Sequence, residues 1–461
     1  MKVRQGLRFI KSLHSRSYQD IDILKWIGDR RDAIKYEITK VDLDKLNGWN
    51  FDKSGISHNS GKFFQIQYLE SKMNGNEWYQ PIINQPEIGI LGFIVKEING
   101  VLHFLVQAKI EPGNINIVQL SPTVQSTKSN FTKVHGGSLT PFVDFFLDSN
   151  ASILVDQLQS EQGSRFFQKR NRNIIIEVNQ NDKLYHENYI WLTLGDIVAM
   201  TKHPNTVNMD SRTVISCIHF GSYDFKNFEI GYYMGLSDKS SPWIYSMMRR
   251  DVYVKSIPEI LSAITNFRFR REVEVKKISF DENRDWIYED GEIRHKNGLY
   301  FDIVGYEIFI ENRESSKWSQ PMVKPKAEGI CCFFAKLIDG VYYLLVQFKD
   351  EIGSFDGVEM APTIQTSAEN LETSPYYEAF NKLINSDKVL MDIQQSEEGG
   401  RFYQEQNRNI IIDVTEEDDW HGNIPDHSDY IWMTIHQIKT FLQYNNYVNI
   451  QTRSIISSLP L

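Results

Sequence analysis

The sequence predicts an α/β (α+β) sandwich built twice, as two tandem copies of one module. Three observations predict it: a long internal repeat, a hairpin signal at the same place in each copy, and apolar strand-like runs alternating with helix-like ones. The repeat is plainest where QSEQGSRFFQKRNRNIIIEV (159–178) returns as QSEEGGRFYQEQNRNIIIDV (395–414), with fourteen of twenty positions identical. Earlier, WNFDKSGISHNSGKFFQI (49–66) answers to WIYEDGEIRHKNGLYFDI (286–303). Later, SPTVQS and APTIQT are 240 positions apart, YIWLT and YIWMT 241, and VNMDSRTVIS closes one copy as VNIQTRSIIS closes the other. The steady offset places copy one at 20–235 and copy two at 257–461. A segment around SPWIYSMMRRD, expected to include a helix, joins them.

The elements follow in order within each copy. IGILGFIVKEI, Asn99-Gly100 and VLHFLVQAKIE read as a hairpin, because Asn-Gly adopts the positive φ angles of a type I′ turn; Asp339-Gly340 occupies the same place in copy two. On the second strand, alternation puts Leu102, Phe104, Val106, Ala108 and Ile110 on one face and His103, Leu105, Gln107, Lys109 and Glu111 on the other. An irregular PT-Q segment comes next, then an amphipathic stretch from Pro141 to Leu158, then the QSE motif running into strand IIIEV. YIWLT leads into a helix-like LGDIVAMTK.

Composition narrows the function. The chain has 461 residues, 41% of them hydrophobic and 24% charged, which suits two or three domains with full cores. A net charge of −10 argues against general nucleic-acid binding, so an anionic ligand must be caught by a local cluster. The apolar runs are too short to span a bilayer and no signal peptide is written, which predicts a cytoplasmic protein. Cys217, Cys331 and Cys332 form no CxxC pair and are expected to be buried small apolar residues. GxxxxGK[ST], GxGxxG after a strand, HExxH and GxSxG are all absent, which disfavours P-loop, Rossmann, zinc-hydrolase and α/β-hydrolase chemistry. His58 and His295 recur in the two copies, and a turn histidine satisfied by backbone accounts for both.

A repeated fold needs its apolar spacing preserved; here polar letters are preserved too. Gln107, Lys109 and Glu111 return as Gln347, Lys349 and Glu351, each row followed by a glycine, Gly113 or Gly353. An edge-strand salt ladder explains such a row, and so does a cleft lining. The QSE motif joins a carboxylate (Glu161, Glu397), a glycine able to expose backbone N–H groups (Gly163, Gly399) and two arginines (Arg165 and Arg172; Arg401 and Arg408). Arginines beside a glycine loop fork onto phosphate oxygens, whereas a buried Glu–Arg network would use the same letters. Copy one adds Lys169 and Arg170 where copy two has Glu405 and Gln406, and it alone carries His135-Gly136-Gly137 and Glu111-Pro-Gly-Asn114. It is therefore the better equipped for a diphosphate.

VQAKIEPGN, QLSPTVQSTKSNFT, HGG, QSEQGSRFFQKRNRN, YIWLT and VNMDSRTV together resemble the NDP-hexose 2,3-dehydratase family of deoxysugar biosynthesis, and QSEEGGRFYQEQNRN fits the same family. The resemblance runs from Ile23 to about Ser457. It implies tandem Nudix-like modules that associate as a homodimer, and a nucleotide-linked 4-keto-6-deoxyhexose, typically the dTDP sugar, as substrate. It also implies loss of water from C2 and C3 without nicotinamide, pyridoxal phosphate or an obligatory metal. A 3-ketoreductase or 3-aminotransferase would take the product. The Nudix hydrolase box is missing from both copies, so a metal-dependent nucleotide-sugar diphosphatase is the weaker alternative, beside a non-catalytic nucleotide-sugar binding protein. For the elimination, Lys109, Glu111, His135 and Glu161 supply the expected acid, base and enolate-stabilising types, with the base left open. Gln107, Asn114, Thr123, Gln125, Gly136, Gly137, Arg165, Lys169, Arg170 and Arg172 are the expected substrate-binding residues.

Overall fold

The protein is described by a computed structural model covering residues 2–61, 63–73, 75–127, 140–222, 241–311, 316–417 and 429–460. His135, Gly136 and Gly137 lie outside these residues. Twelve described strands in the first half recur in the same order in the second.

In the first half, β1 (Tyr36–Val41), β2 (Trp49–Asp52), β3 (Gly55–His58), β4 (Gln65–Met73) and β5 (Asn76–Asn84) precede the hairpin β6 (Gly89–Ile98) and β7 (Val101–Ile110). β8 (Val118–Ser121), β9 (Val124–Ser126), β10 (Ser152–Ser160), β11 (Arg170–Glu177) and β12 (Tyr189–Thr193) follow. Their counterparts are β13 (Val273–Ile278), β14 (Trp286–Glu289), β15 (Glu292–His295), β16 (Phe301–Ile310), β17 (Lys317–Pro325), β18 (Gly329–Ile338) and β19 (Val341–Asp350). The series ends with β20 (Val358–Ala361), β21 (Ile364–Ser367), β22 (Val389–Ser396), β23 (Gln406–Asp413) and β24 (Tyr430–Thr434).

Each half builds a seven-stranded mixed sheet, ordered β10-β11-β6-β7-β12 in the first, with β8 on β7 and β9 on β6. β11 runs parallel to β6, and β23 to β18, in the middle of their sheets. That central position explains the Ile-Ile-Ile runs, since a strand covered on both faces has no use for polar alternation. Both hairpins turn as expected: Asn99 and Gly100 have φ of 50° and 76°, Asp339 and Gly340 of 47° and 76°. The stretch from Pro141 to Leu158 is not one amphipathic element. It divides into a single helical turn, Asp144–Leu147, and most of β10. The expected linker helix is Ser241–Met248, and LGDIVAM forms a helix capped by Thr193 and Asp196.

The small sheets show what the repeat alone did not. β13, from the second half, pairs with β4 along Val273–Ile278 and completes the first half's sheet; β1, from the first half, pairs with β16 and completes the second's. The halves thus exchange equivalent edge strands, which covers two edges that would otherwise be open. Phe166 and Phe402, at matching positions, meet edge-to-face at 5.7 Å in a core shared by both small sheets. A second core joins both large sheets and their helices, so the interior is continuous across the duplication. All three cysteines are buried and free.

Candidate functional site

The exchange continues at the polar motifs. After β7, Glu111-Pro-Gly-Asn114 turns into the QSE loop of the other half. Gly113 donates its N–H to Gly399 O (2.7 Å), and Gln404 donates to Gly113 O (2.8 Å). The mirror contacts are Gly353 N–H to Gly163 O and Gln168 N–H to Gly353 O, both 2.7 Å. Gly163 and Gly399 were expected to present backbone N–H groups to a phosphate. Their carbonyls accept in this clasp, and Gly163 N–H donates to the Glu351 carboxyl; a Cβ on Gly113 would lie 2.7 Å from Phe402 C and 2.8 Å from Gly399 O.

Each QSE loop therefore begins at its own half's cluster and ends at the other's. The first cluster holds Lys109, Glu111, Gln125, Glu161, Lys169 and Asp210 from copy one with Glu398 and Arg401 from copy two. Lys109 Nζ lies 3.5 Å from Glu111 Oε1 and donates to Gln125 O (3.2 Å). Gln125 Nε2 donates to Glu111 Oε1 (2.8 Å), and Asn208 Nδ2 and Ser121 Oγ donate to Gln125 Oε1 at 3.0 and 2.8 Å. Gln125 is thereby locked as the holder of Glu111. Asn171 donates to Glu161 Oε1 (2.7 Å). The other oxygens of these acids, Glu111 Oε2 and Glu161 Oε2, are buried without a hydrogen-bond partner among the described residues.

Burial shifts the carboxyls of Glu161, Asp210 and Glu398 in this cluster upward, as it does those of Glu351, Glu397 and Glu405 in the second. Burial raises the Glu161 carboxyl, with Arg453 and Lys169 pulling against it. Asp210 is pushed well above the carboxylate range by burial and then by Glu161, Glu398 and Glu111. Glu398 rises to about 7 through burial, then through Glu111, with Arg401 and Lys109 opposing. Lys169 is lowered by burial, Glu161 opposing, and donates to Glu87 O. Buried like charges this close cannot all ionise, so the cluster holds protons at neutral pH. Among the described residues no three His, Cys, Asp or Glu stand where they could hold a metal ion.

Several expected binding residues lie elsewhere. Arg165 is not beside Glu161: its loop carries it to the second cluster, 3.7 Å from Glu405 and over the Phe301 ring. Arg172 projects outward on β11 and pairs with Asp156 at 2.7 and 2.8 Å, because strand alternation turns Asn171 and Asn173 inward instead. Arg170 lies over the Phe355 ring. The four cations of the motif thus do not form one patch. Thr123 is fully buried and its hydroxyl bridges β6 and β7, accepting from Ile94 N–H (2.9 Å) and donating to Leu105 O, so it is a strand staple; Thr363 repeats it. Asn114 bonds within its own turn and packs against Gly399. Gln107 lines a cleft of about 380 Å³ with Lys109, Arg30, Glu187 and Asn188. The recurring histidines are turn residues, His58 accepting from Ser60 N–H (3.2 Å) and His295 from Asn297 N–H (3.3 Å).

The sequence reading missed Asn208, Asp210, Glu398 and Arg401 as members of this cluster. It also missed the fully buried Arg212 and Arg453, which donate across the duplication to Ser396 O and Ser160 O. A signal was present: Asp210 and Glu398 stand where the other copy has Gln451 and Gln162, two charge differences inside matched motifs.

Comparison with known proteins agrees with this architecture. The NDP-hexose 2,3-dehydratase family model matches residues 20–218 and again 257–459. A dTDP-4-dehydro-6-deoxy-alpha-D-glucopyranose 2,3-dehydratase from Saccharopolyspora spinosa is 39% identical over 448 residues, 94% of this chain and 90% of the relative. Proteins of the same name from Streptomyces violaceoruber and Amycolatopsis orientalis are 38% and 36% identical over 447 and 454 residues; these cover 94% and 95% of this chain and 95% and 89% of theirs. With both halves matched and relatives aligned along nearly its whole length, the chain belongs to the NDP-hexose 2,3-dehydratase family.

Proposed function

We propose that the chain removes water from C2 and C3 of a dTDP-4-keto-6-deoxyhexose, giving the 3,4-diketo-2,6-dideoxyhexose nucleotide, and that the first cluster does the chemistry. A C4 ketone acidifies the C3 proton. A base takes it, an enolate develops, the C2 hydroxyl leaves with a proton, and the C3 enol becomes a ketone. The observation that carries this reading is Lys109 beside the buried Glu111, with the buried Glu161 in the same cluster; each of the two carboxylates keeps one oxygen without a hydrogen-bond partner among the described residues, where a polyhydroxyl ligand could bond. Lys109 is suited to the C4 oxygen as enolate forms, and Glu111 or Glu161 to the C3 proton. Copy two, with Glu405 in place of Lys169, is read as a binding relic or a support. The large sheets are read as Nudix-like, from the mixed strand order with helices packed on both faces. The duplicated modules of the family carry the reading of a cytoplasmic homodimer, which light scattering tests directly. A reductase or aminotransferase acting at C3 would consume the diketone.

Mass spectrometry of the protein incubated with dTDP-4-keto-6-deoxyglucose and a 3-ketoreductase tests the activity. The expected product has lost one water and gained two hydrogens. Release of dTMP or of a sugar phosphate would instead establish diphosphatase chemistry.

A further inference from the structure

Each half is a control for the other. In the second cluster Glu397, the counterpart of Glu161, is held by three amides: it accepts from Gln162, from Asn407 and from Gln451 Nε2, the last at 3.0 Å. In the first cluster Asn171 matches Asn407, but the places of Gln162 and Gln451 are taken by Glu398 and Asp210. Two neutral donors that clamp a carboxylate in one half are thus two acids in the other. Neither carboxyl makes a hydrogen bond to a described residue. Glu398 is half-buried, while Asp210 is 3% exposed. The Glu398 carboxyl folds back over Gly400, where an added Cβ would meet Glu398 Oε1 and lie 3.6 Å from Glu111 Oε1. The clasp at Gly113 and Gly399 fixes the loop that delivers it.

We propose that Glu398, reaching across the duplication, is the proton donor to the departing C2 hydroxyl at the first copy's site. The inference rests on the dehydratase reading and on chemistry at the first cluster. A protein whose second half contributed only a relic would have no use for an acid there. The step balances without any outside oxidant or reductant. The base takes the C3 proton and the C–H pair becomes the C3=C4 enolate. When C4=O re-forms, the pair moves to C2=C3, the C2–O bond breaks, and its oxygen takes the Glu398 proton and leaves as water. Glu398 is left as a carboxylate and regains a proton from the base or solvent. A carboxyl raised to about 7 by burial and by Glu111 holds a proton within reach of neutral pH, which suits this role.

The test uses the full chain in D₂O, with wild type, Glu398→Gln, Glu398→Asp and Lys109→Met. Product formation and C3 deuterium in recovered substrate are both read, together with dTDP affinity and thermal melts. Glu398→Gln is expected to cut elimination by about 10²-fold while C3 exchange continues, and Glu398→Asp to restore part of the loss. The proposal is overturned if Glu398→Gln eliminates like wild type while Lys109→Met does not. It is also overturned if exchange and elimination vanish together in a chain that folds and binds dTDP. If both Glu398→Gln and Lys109→Met turn over normally, the placement of the site itself is wrong, and the proposal falls with it.

Discussion

Gly113→Ala is the perturbation that bears most directly on how the halves are joined. The new Cβ would sit 2.7 Å from Phe402 C and 2.8 Å from Gly399 O, inside the 3.0 Å that real Cβ atoms keep, and closer still to Phe402 O. These are backbone atoms, so no rotamer relieves the clash and the loop must withdraw. Withdrawal breaks Gly113 N–H to Gly399 O and Gln404 N–H to Gly113 O, at about 1–3 kcal/mol per bond lost, roughly 2–6 kcal/mol in all. At this chain length that is roughly a degree of melting temperature per kcal/mol. Turnover should fall further than stability, because the same loop carries Glu398 and Arg401. Gly28→Ala is the control: nothing lies within 4 Å of its Cβ position in the helix Asp20–Asp32, so a gain of about 0.5–1 kcal/mol is expected. Differential scanning calorimetry and kcat on both variants make the assay. A Gly113→Ala protein that melts and turns over like wild type would refute the clasp as a structural joint.

Two further outcomes follow from buried charge. Glu359, 2% exposed, accepts from Ser160 Oγ (2.7 Å) and is raised to about 7 by burial, above its ordinary 4.5; copy one has Gln119 there, held in the same way by Ser396. A carboxyl raised on folding contributes stability that is complete below its unfolded value and is lost as pH rises through about 7. Glu359→Gln is therefore expected to leave stability near pH 4.5 unchanged and to raise it by roughly 3 kcal/mol at pH 8, measured by denaturant titration at both pH values. Arg401 lies in the first cluster and Arg165 in the second, so Arg401→Ala should raise KM by roughly tenfold or more and Arg165→Ala by much less, read from steady-state kinetics.

The sequence made some of this legible and some not, for physical reasons. Hairpin turns, the paired Ile-Ile-Ile strands and the helix after YIWLT depend on neighbours in the chain, so their residues announce them. The strand exchange does not: Tyr36–Val41 and Val273–Ile278 carry the same pattern whichever copy of the sheet they join, and pairing partners are a property of the tertiary fold. Lys109, Glu111, Gln125 and Glu161, singled out as polar letters in repeated motifs, do come together in one cluster. Arg165, expected as a substrate-binding residue, lies in the other cluster, because continuity of the motif is not continuity in space and the loop crosses over at Gly163. Thr123 looked like a ligand group for the reason it is repeated: a hydroxyl needed twice, but by backbone. Asp210 and Glu398 were legible in principle, since each is a charge where its counterpart is an amide.

The most direct measurement is the paired turnover of Lys109→Met and Lys349→Met, with melts to confirm folding. These lysines occupy matching places on β7 and β19 in clusters that differ at Glu398 and Asp210. If the first cluster performs the elimination, Lys109→Met loses about 10²-fold or more in kcat while Lys349→Met keeps most of it. Full turnover in Lys109→Met beside loss in Lys349→Met would place the chemistry in the second half and contradict the account.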